Sequence, residues 1–131
     1  MNKKNKVQKH PIMVVDDSRV IFEEMKQMLE GSEFEIVAFC RSGEIAMEYY
    51  EKAKPVLVTM DIMLPGIDGI ETCSKLRARW PDAQVYMVSS MAYDDMIDRS
   101  VAAGAKGFLF KPFAKEKLLE SLRGALKSEA Q

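Results

Sequence analysis

The chain has 131 residues, 47% of them hydrophobic and 30% charged, which excludes a disordered protein and is typical of one globular domain. Nineteen basic and twenty acidic side chains give a net charge of −1, so nothing in the overall charge points to nucleic acid or a membrane surface as a partner. The longest apolar run, residues 36–40, is far shorter than the ~20 residues that a transmembrane helix needs.

The first ten residues contain four lysines and no acidic residue. We expect a flexible basic tail over residues 1–10 and a single domain over residues 11–131. The apolar run after the tail is too short for a secretion signal, because two aspartates interrupt it at once. Cys40 and Cys73 lie far apart in apolar segments without metal-binding spacing, so we expect reduced core thiols and a cytoplasmic protein.

Short apolar runs alternate along the rest of the chain with longer segments of helical period. The runs cover residues 12–15, 36–40, 56–60, 85–88 and 108–110. They are continuous rather than alternating, which is typical of strands that are covered on both faces. Since each gap holds one helix, the connections are right-handed crossovers between parallel strands. The sequence therefore predicts an open α/β sandwich of five parallel strands and five helices.

Local signals mark where several of these helices begin and end. Gly31 and Gly104 stand where the first and fourth helices should end. Asp68 with Glu71 has the spacing of a capping box at the start of the third helix.

Polar residues follow four of the predicted strands. Asp16 and Asp17 follow the first strand, and Asp61 follows the third. Ser89 and Ser90 follow the fourth strand, and Lys111, which precedes Pro112, follows the fifth. In an open parallel sheet, ligands bind beyond the carboxyl ends of the strands. The second strand is followed by residues 41–43, which we interpret as an ordinary turn.

The residue types at this predicted edge favour one kind of chemistry. Three carboxylates close together stay ionised only if a cation compensates them, and Mg²⁺ prefers such oxygen ligands. Lys111 can hold a phosphoryl oxygen as a point charge, and a carboxylate is the obvious nucleophile. An alternative for Asp17 or Ser18 taken alone is an N-cap, a role that does not exclude metal binding.

Motifs at these positions resemble the receiver domain of two-component response regulators. They are VVDD at residues 14–17, MDIMLP at 60–65 with DG at 68–69, VSS at 88–90 and GAKGFLFKPF at 104–113. The resemblance covers residues 11 to about 127 and is greatest to stand-alone, CheY-like chemotaxis regulators. It implies a flavodoxin-like, CheY-like doubly wound fold with the strand order 2-1-3-4-5, of which CheY is a standard example.

The resemblance also implies roles for the acidic residues. Asp61 would be the phosphoacceptor and would take its phosphoryl group from a histidine kinase or a phosphotransfer protein. Asp16, Asp17, Asp61 and the backbone carbonyl of Met63 would hold Mg²⁺, or Mn²⁺ in its place.

For the remaining motif residues, the resemblance implies phosphoryl binding and a switch. Ser89 and Lys111 would bind the phosphoryl oxygens, and the bond before Pro112 would be cis. Ser89 would move inward on phosphorylation, and Phe108 would enter the space that it leaves. The face formed by the fourth helix, the fifth strand and the fifth helix would then bind a downstream protein.

Some positions depart from the usual family pattern. The switch aromatic is Phe108 rather than tyrosine, so it has no hydroxyl to offer a partner. Met63 and Met91 are apolar where many relatives carry polar residues, which bears on the access of water to the phosphoryl group.

We expect a signalling module rather than an enzyme, because few residues follow the fifth helix and a separate output domain has no room there. It would act as a monomer, or as a weak dimer when phosphorylated, by binding another protein. The sequence leaves open whether it serves chemotaxis, a phosphorelay, or the regulation of another enzyme.

Two other classes fit the same fold less well. A Mg²⁺-dependent phosphatase with an aspartyl-phosphate intermediate would have a second aspartate where Met63 stands. A nucleotide or flavin carrier would have glycine-rich phosphate loops, and the sequence contains none.

Overall fold

The structure is a computed structural model and describes residues 8–90 and 93–130. Within this part of the chain, strands and helices alternate strictly. In order they are β1 (His10–Val15), α1 (Arg19–Leu29), β2 (Phe34–Cys40), α2 (Gly43–Ala53), β3 (Leu57–Met60), α3 (Gly69–Arg79), β4 (Val85–Ser89), α4 (Asp94–Ala102), β5 (Gly107–Phe110) and α5 (Lys115–Ala130).

The strands form one parallel sheet in the order β2-β1-β3-β4-β5. This confirms both the predicted fold class and the strand order that the resemblance implies. Because β1 and β3 are neighbours, the residues that follow them are brought to the same edge of the sheet.

Alternate residues of each central strand enter two separate cores. In β1, Ile12 and Val14 pack against α1 and α5, whereas Met13 and Val15 pack against α2 and α3. Both faces of the sheet are therefore covered by helices. This double covering explains why the central strands are apolar at successive positions.

The helix boundaries follow the predicted local signals closely. Ser18, not Asp17, is the N-cap of α1, and Asp68 caps α3 by accepting the N–H of Glu71 at 2.8 Å. Gly31 and Gly104 follow α1 and α4 with φ angles of 81° and 101°, a conformation that glycine adopts without steric cost.

The beginning of the domain differs slightly from the predicted boundary. Residues 1–7 of the predicted tail lie outside the described residues, whereas His10 is already the first residue of β1. Its backbone N–H donates to the carbonyl of Glu33 at 2.7 Å. Strand pairing uses backbone groups, so it extends beyond the apolar run that predicts the strand.

Cys40 and Cys73 are buried free thiols. Burial raises the pKa of each to about 11, so both are protonated near neutral pH. Among the helices that the structure describes, none is long and apolar enough to span a bilayer.

Candidate functional site

The carboxylates of Asp16, Asp17 and Asp61 meet at the carboxyl end of the sheet. Each offers one oxygen atom, and these atoms lie within 4.8 Å of one another. The backbone N–H of Asp61 donates to the carbonyl of Val15 at 2.9 Å, so the pairing of β3 with β1 continues to the acidic residues. Asp16 and Asp61 are buried, and Asp17 is exposed at the rim.

Lys111 lies between the two buried carboxylates. Its Nζ is 2.7 Å from Asp16 Oδ2 and 3.3 Å from Asp61 Oδ2. Its backbone N–H donates to the carbonyl of Ser89 at 3.0 Å, which joins the ends of β4 and β5. The peptide bond between Lys111 and Pro112 is cis.

Lys111 only partly compensates the negative charge of the Asp61 carboxylate. Burial raises the pKa of Asp61 above its ordinary value, and the negative charge of Asp16 raises it further. The charge and hydrogen bond of Lys111 lower this pKa, but they do not cancel the rise. A cation among the carboxylates would supply the missing positive charge.

The donor set suits a small, hard divalent cation. The side chains of Asp16, Asp17 and Asp61 provide only oxygen atoms, which is the chemistry that Mg²⁺ and Mn²⁺ prefer. These residues therefore form a potential metal site. Met63 lies in the loop that leaves β3 and is 58% exposed.

Ser89 and Phe108 lie on the neighbouring strands β4 and β5. Ser89 is fully buried at the end of β4 and is paired in the sheet with Phe110. Phe108 is half-buried against the core beneath α2 and α3. The centre of its ring lies 5.0 Å from the ring centre of the exposed Phe110. Met91 lies outside the described residues.

The start of α3 packs directly on the backbone of the site. A Cβ atom on Gly69 would overlap the carbonyl oxygen of Asp61. The Gly69 N–H donates to the carbonyl of Ile62 at 2.8 Å. Only glycine permits this close approach, so the Asp-Gly pair at residues 68–69 both caps the helix and fits it against β3.

Sequence analysis missed two residues at the border of the site. Arg41, in the turn that we interpreted as ordinary, donates from Nη2 to the backbone carbonyl of Asp17 at 3.0 Å. Glu44 accepts the N–H of Ile67 through Oε2 at 3.2 Å. These contacts join residues 24 and 23 positions apart, so no local pattern could have indicated them.

Curated relatives include CheY chemotaxis proteins from two bacteria. Those of Listeria monocytogenes and Bacillus subtilis are each 36% identical to this chain. The alignments cover 88% and 89% of this chain, respectively, and 98% of each relative.

Solved structures of similar fold include a chain of the CheX-CheY-BeF3-Mg²⁺ complex from Borrelia burgdorferi. Its TM-score is 0.86 at 26% identity, with 91% of this chain and 90% of that chain covered. A CheY-like receiver domain protein from Methanospirillum hungatei has a TM-score of 0.86 at 27% identity, with 94% and 98% covered. The family model of the response regulator receiver domain matches residues 12–123. The chain therefore belongs to the response regulator receiver domain family.

Proposed function

We propose that this CheY-like receiver accepts a phosphoryl group on Asp61 and signals by binding another protein when phosphorylated. The observation that carries the proposal is the position of Lys111 between the buried carboxylates of Asp16 and Asp61. Burying two like charges side by side costs folding free energy. A site that must hold a metal ion and a phosphoryl group accounts for that cost.

Asp16, Asp17, Asp61 and the backbone carbonyl of Met63 would hold Mg²⁺, or Mn²⁺. When bound, the ion would neutralise charge on the transferring phosphoryl group. The all-oxygen cluster and the raised pKa of Asp61 both support a cation at this place.

In the transfer step, an Asp61 oxygen forms a bond to phosphorus while the bond from phosphorus to the donor histidine nitrogen breaks. That nitrogen keeps the electron pair and takes a proton from solvent. The donor is a histidine kinase or a phosphotransfer protein. The chain contributes chiefly by positioning the reacting groups and neutralising their charge.

Lys111 and Ser89 hold the phosphoryl oxygens after transfer. Lys111 Nζ is already 3.3 Å from Asp61, so a small movement brings its charge to an oxygen of the new group. The hydroxyl of Ser89, at the end of the adjacent strand, donates to a second oxygen.

Phosphorylation changes the face formed by α4, β5 and α5. The dianionic group draws Ser89 inward, and the Phe108 ring moves into the space that Ser89 leaves. Tyr93, Val101 and Phe110 are exposed apolar side chains on these elements or beside them. A downstream protein binds this face once the inward movement of Phe108 has changed its shape.

The role is that of a chemotaxis regulator in the cytoplasm, which the similarity to CheY relatives supports. The only reactions that the chain catalyses are its own phosphorylation and dephosphorylation. It acts as a monomer, or as a weak dimer when phosphorylated, without nucleic acid or a membrane as a partner. A phosphorelay intermediate or a regulator of another enzyme would use the same site.

Intact-mass analysis after incubation with Mg²⁺ and acetyl phosphate tests this proposal. Wild-type protein should gain the mass of one phosphoryl group, and EDTA should prevent the gain. Asp61→Asn should gain none, whereas Asp82→Asn, which changes an exposed carboxylate before β4, should behave as wild type. Equal phosphorylation of Asp61→Asn and wild type would contradict the site assignment. Turnover of excess phosphomonoester without a trapped intermediate would favour the phosphatase.

A further inference from the structure

The turn between β2 and α2 contacts both loops of the acidic site through side chains of opposite charge. Arg41 donates to the carbonyl of Asp17, in the loop after β1, at 3.0 Å. Glu44, in the first turn of α2, accepts the N–H of Ile67 at 3.2 Å. Ile67 belongs to the loop after β3, which also carries Met63.

The start of α2 is packed tightly against the second of these loops. A Cβ atom on Gly43 would overlap Thr72 and would lie 2.9 Å from Ile67. The Glu44 carboxylate lies over Gly66, where a Cβ atom would be 2.5 Å from Oε2. Glu44 therefore fills a defined place between helix and loop, although it is a surface residue.

We infer that Arg41 and Glu44 are positioning residues that fasten both loops to the start of α2 and so maintain the spacing of the metal site. We call this pair the brace. The inference rests on the proposed function, because the spacing matters only if a cation binds there. Exposed hydrogen bonds contribute little to global stability, so the brace should affect the site more than the unfolding midpoint.

Arg41 is informative because its charge and its hydrogen bond affect cation binding in opposite directions. Removing a positive charge from the border of the acidic site should strengthen cation binding. Releasing the loop that carries Asp17 should weaken it. The contact uses one N–H of the guanidinium, so Arg41→Lys retains both the charge and a donor.

Glu44 requires a different comparison, because losing its charge and losing its contact would both weaken cation binding. Glu44→Gln removes the charge but retains an acceptor oxygen. Glu48→Ala removes an exposed carboxylate one turn further along α2 and is the matched control for charge alone.

Calorimetric titration of metal-free protein with Mg²⁺ tests the brace. Glu44→Ala should weaken binding about three-fold to ten-fold, the effect of one hydrogen bond, and Arg41→Ala should weaken it less, because the lost positive charge partly offsets the lost contact. Arg41→Lys, Glu44→Gln and Glu48→Ala should remain within about two-fold of wild type. Binding by Glu44→Ala as tight as binding by Glu44→Gln, or binding by Arg41→Ala tighter than that of wild type, would overturn the inference.

Amide hydrogen exchange at Ile67 in metal-free protein gives an independent test. Glu44→Ala should speed exchange at this amide, whereas Glu44→Gln and Glu48→Ala should not, with the unfolding midpoint unchanged in all three. Equal exchange in Glu44→Ala and wild type would also overturn the brace. If the wild type itself binds no Mg²⁺, the proposed function fails, and the exchange measurement still decides whether Glu44 holds the loop.

Discussion

Lys111 divides its charge unequally between the two buried carboxylates. Its Nζ lies 2.7 Å from Asp16 Oδ2 and 3.3 Å from Asp61 Oδ2, and burial keeps the pKa of Asp61 above its ordinary value despite this contact. Lys111 can therefore turn to a phosphoryl oxygen on Asp61 and keep its shorter contact with Asp16. In the proposed function Asp61 is the acceptor and Asp16 a fixed metal ligand, and this asymmetry agrees with that proposal.

Thr59, near the end of β3, carries a buried hydroxyl group whose effect on stability can be measured. It is 2% exposed, and its Oγ1 has no hydrogen-bond partner within the described part of the chain. An unpaired buried hydroxyl costs about 1–3 kcal/mol. Thr59→Val replaces that hydroxyl with a methyl group of the same shape, so urea unfolding should show a gain of about 1 kcal/mol.

Thr72→Val is the matched control for this substitution. Thr72 is also buried, but its Oγ1 donates to the carbonyl of Asp68 at 2.8 Å. Its replacement should lower the free energy of unfolding by about 1 kcal/mol. If both variants lose stability equally, the hydroxyl of Thr59 has a partner after all.

Among the secondary-structure elements, the strands could be predicted better in their interiors than at their ends. Each apolar run indicated one of the strands that the structure describes, and in β3 and the last four residues of β1 the buried positions follow one another without a break. The predicted starts of β1 and β2 were two residues late. The polar His10 and Glu35 obscured them, although backbone pairing includes both residues.

The part of the candidate site that depends only on the strand order could be predicted from the sequence. Parallel strands bring Asp16 and Asp61 to one edge whatever the loops do, and the cluster follows from this. The contacts of Arg41 and Glu44 depend on how α2 lies against two distant loops. That arrangement is a result of packing, and no residue pattern within the turn encodes it.

The junction between β3 and α3 gives a prediction at the scale of an element. Gly69→Ala places a Cβ atom against the Asp61 carbonyl oxygen, so the helix must shift away from the site. We expect a loss of about 1–3 kcal/mol in unfolding free energy, together with weaker Mg²⁺ binding.

Gly124→Ala, in α5, is the control for the Gly69 variant. Nothing lies within 4 Å of a Cβ atom there. Because alanine favours a helix, this variant should gain about 0.5–1 kcal/mol. If urea unfolding showed the same gain in stability for both variants, the space beside the Asp61 carbonyl would accommodate a Cβ atom at residue 69.

For the molecule as a whole, two carboxyl groups give opposite responses of stability to pH. A hydrogen bond from Arg123 in α5 lowers the pKa of Glu33 from 4.5 to about 2. The stability that Glu33 contributes is therefore complete above pH 4.5 and is lost as the pH falls through about 2.

The pKa of Asp61 is instead raised above 3.8, so the folded state holds the proton of this carboxyl group more tightly than the unfolded chain does. The stability that protonated Asp61 contributes is therefore complete below pH 3.8 and is lost as the pH rises above it.

Urea unfolding of metal-free protein over a range of pH can separate these two groups. Near neutral pH, Glu33→Gln should be less stable than wild type, and the difference should disappear as the pH approaches 2. Asp61→Asn should be more stable than wild type near neutral pH and should lose this advantage below pH 3.8. Saturating Mg²⁺ should stabilise the wild type and reduce or reverse that advantage, because the ion binds only the folded site. An Asp61→Asn protein that is less stable than wild type in EDTA would show that Lys111 already compensates this carboxylate fully.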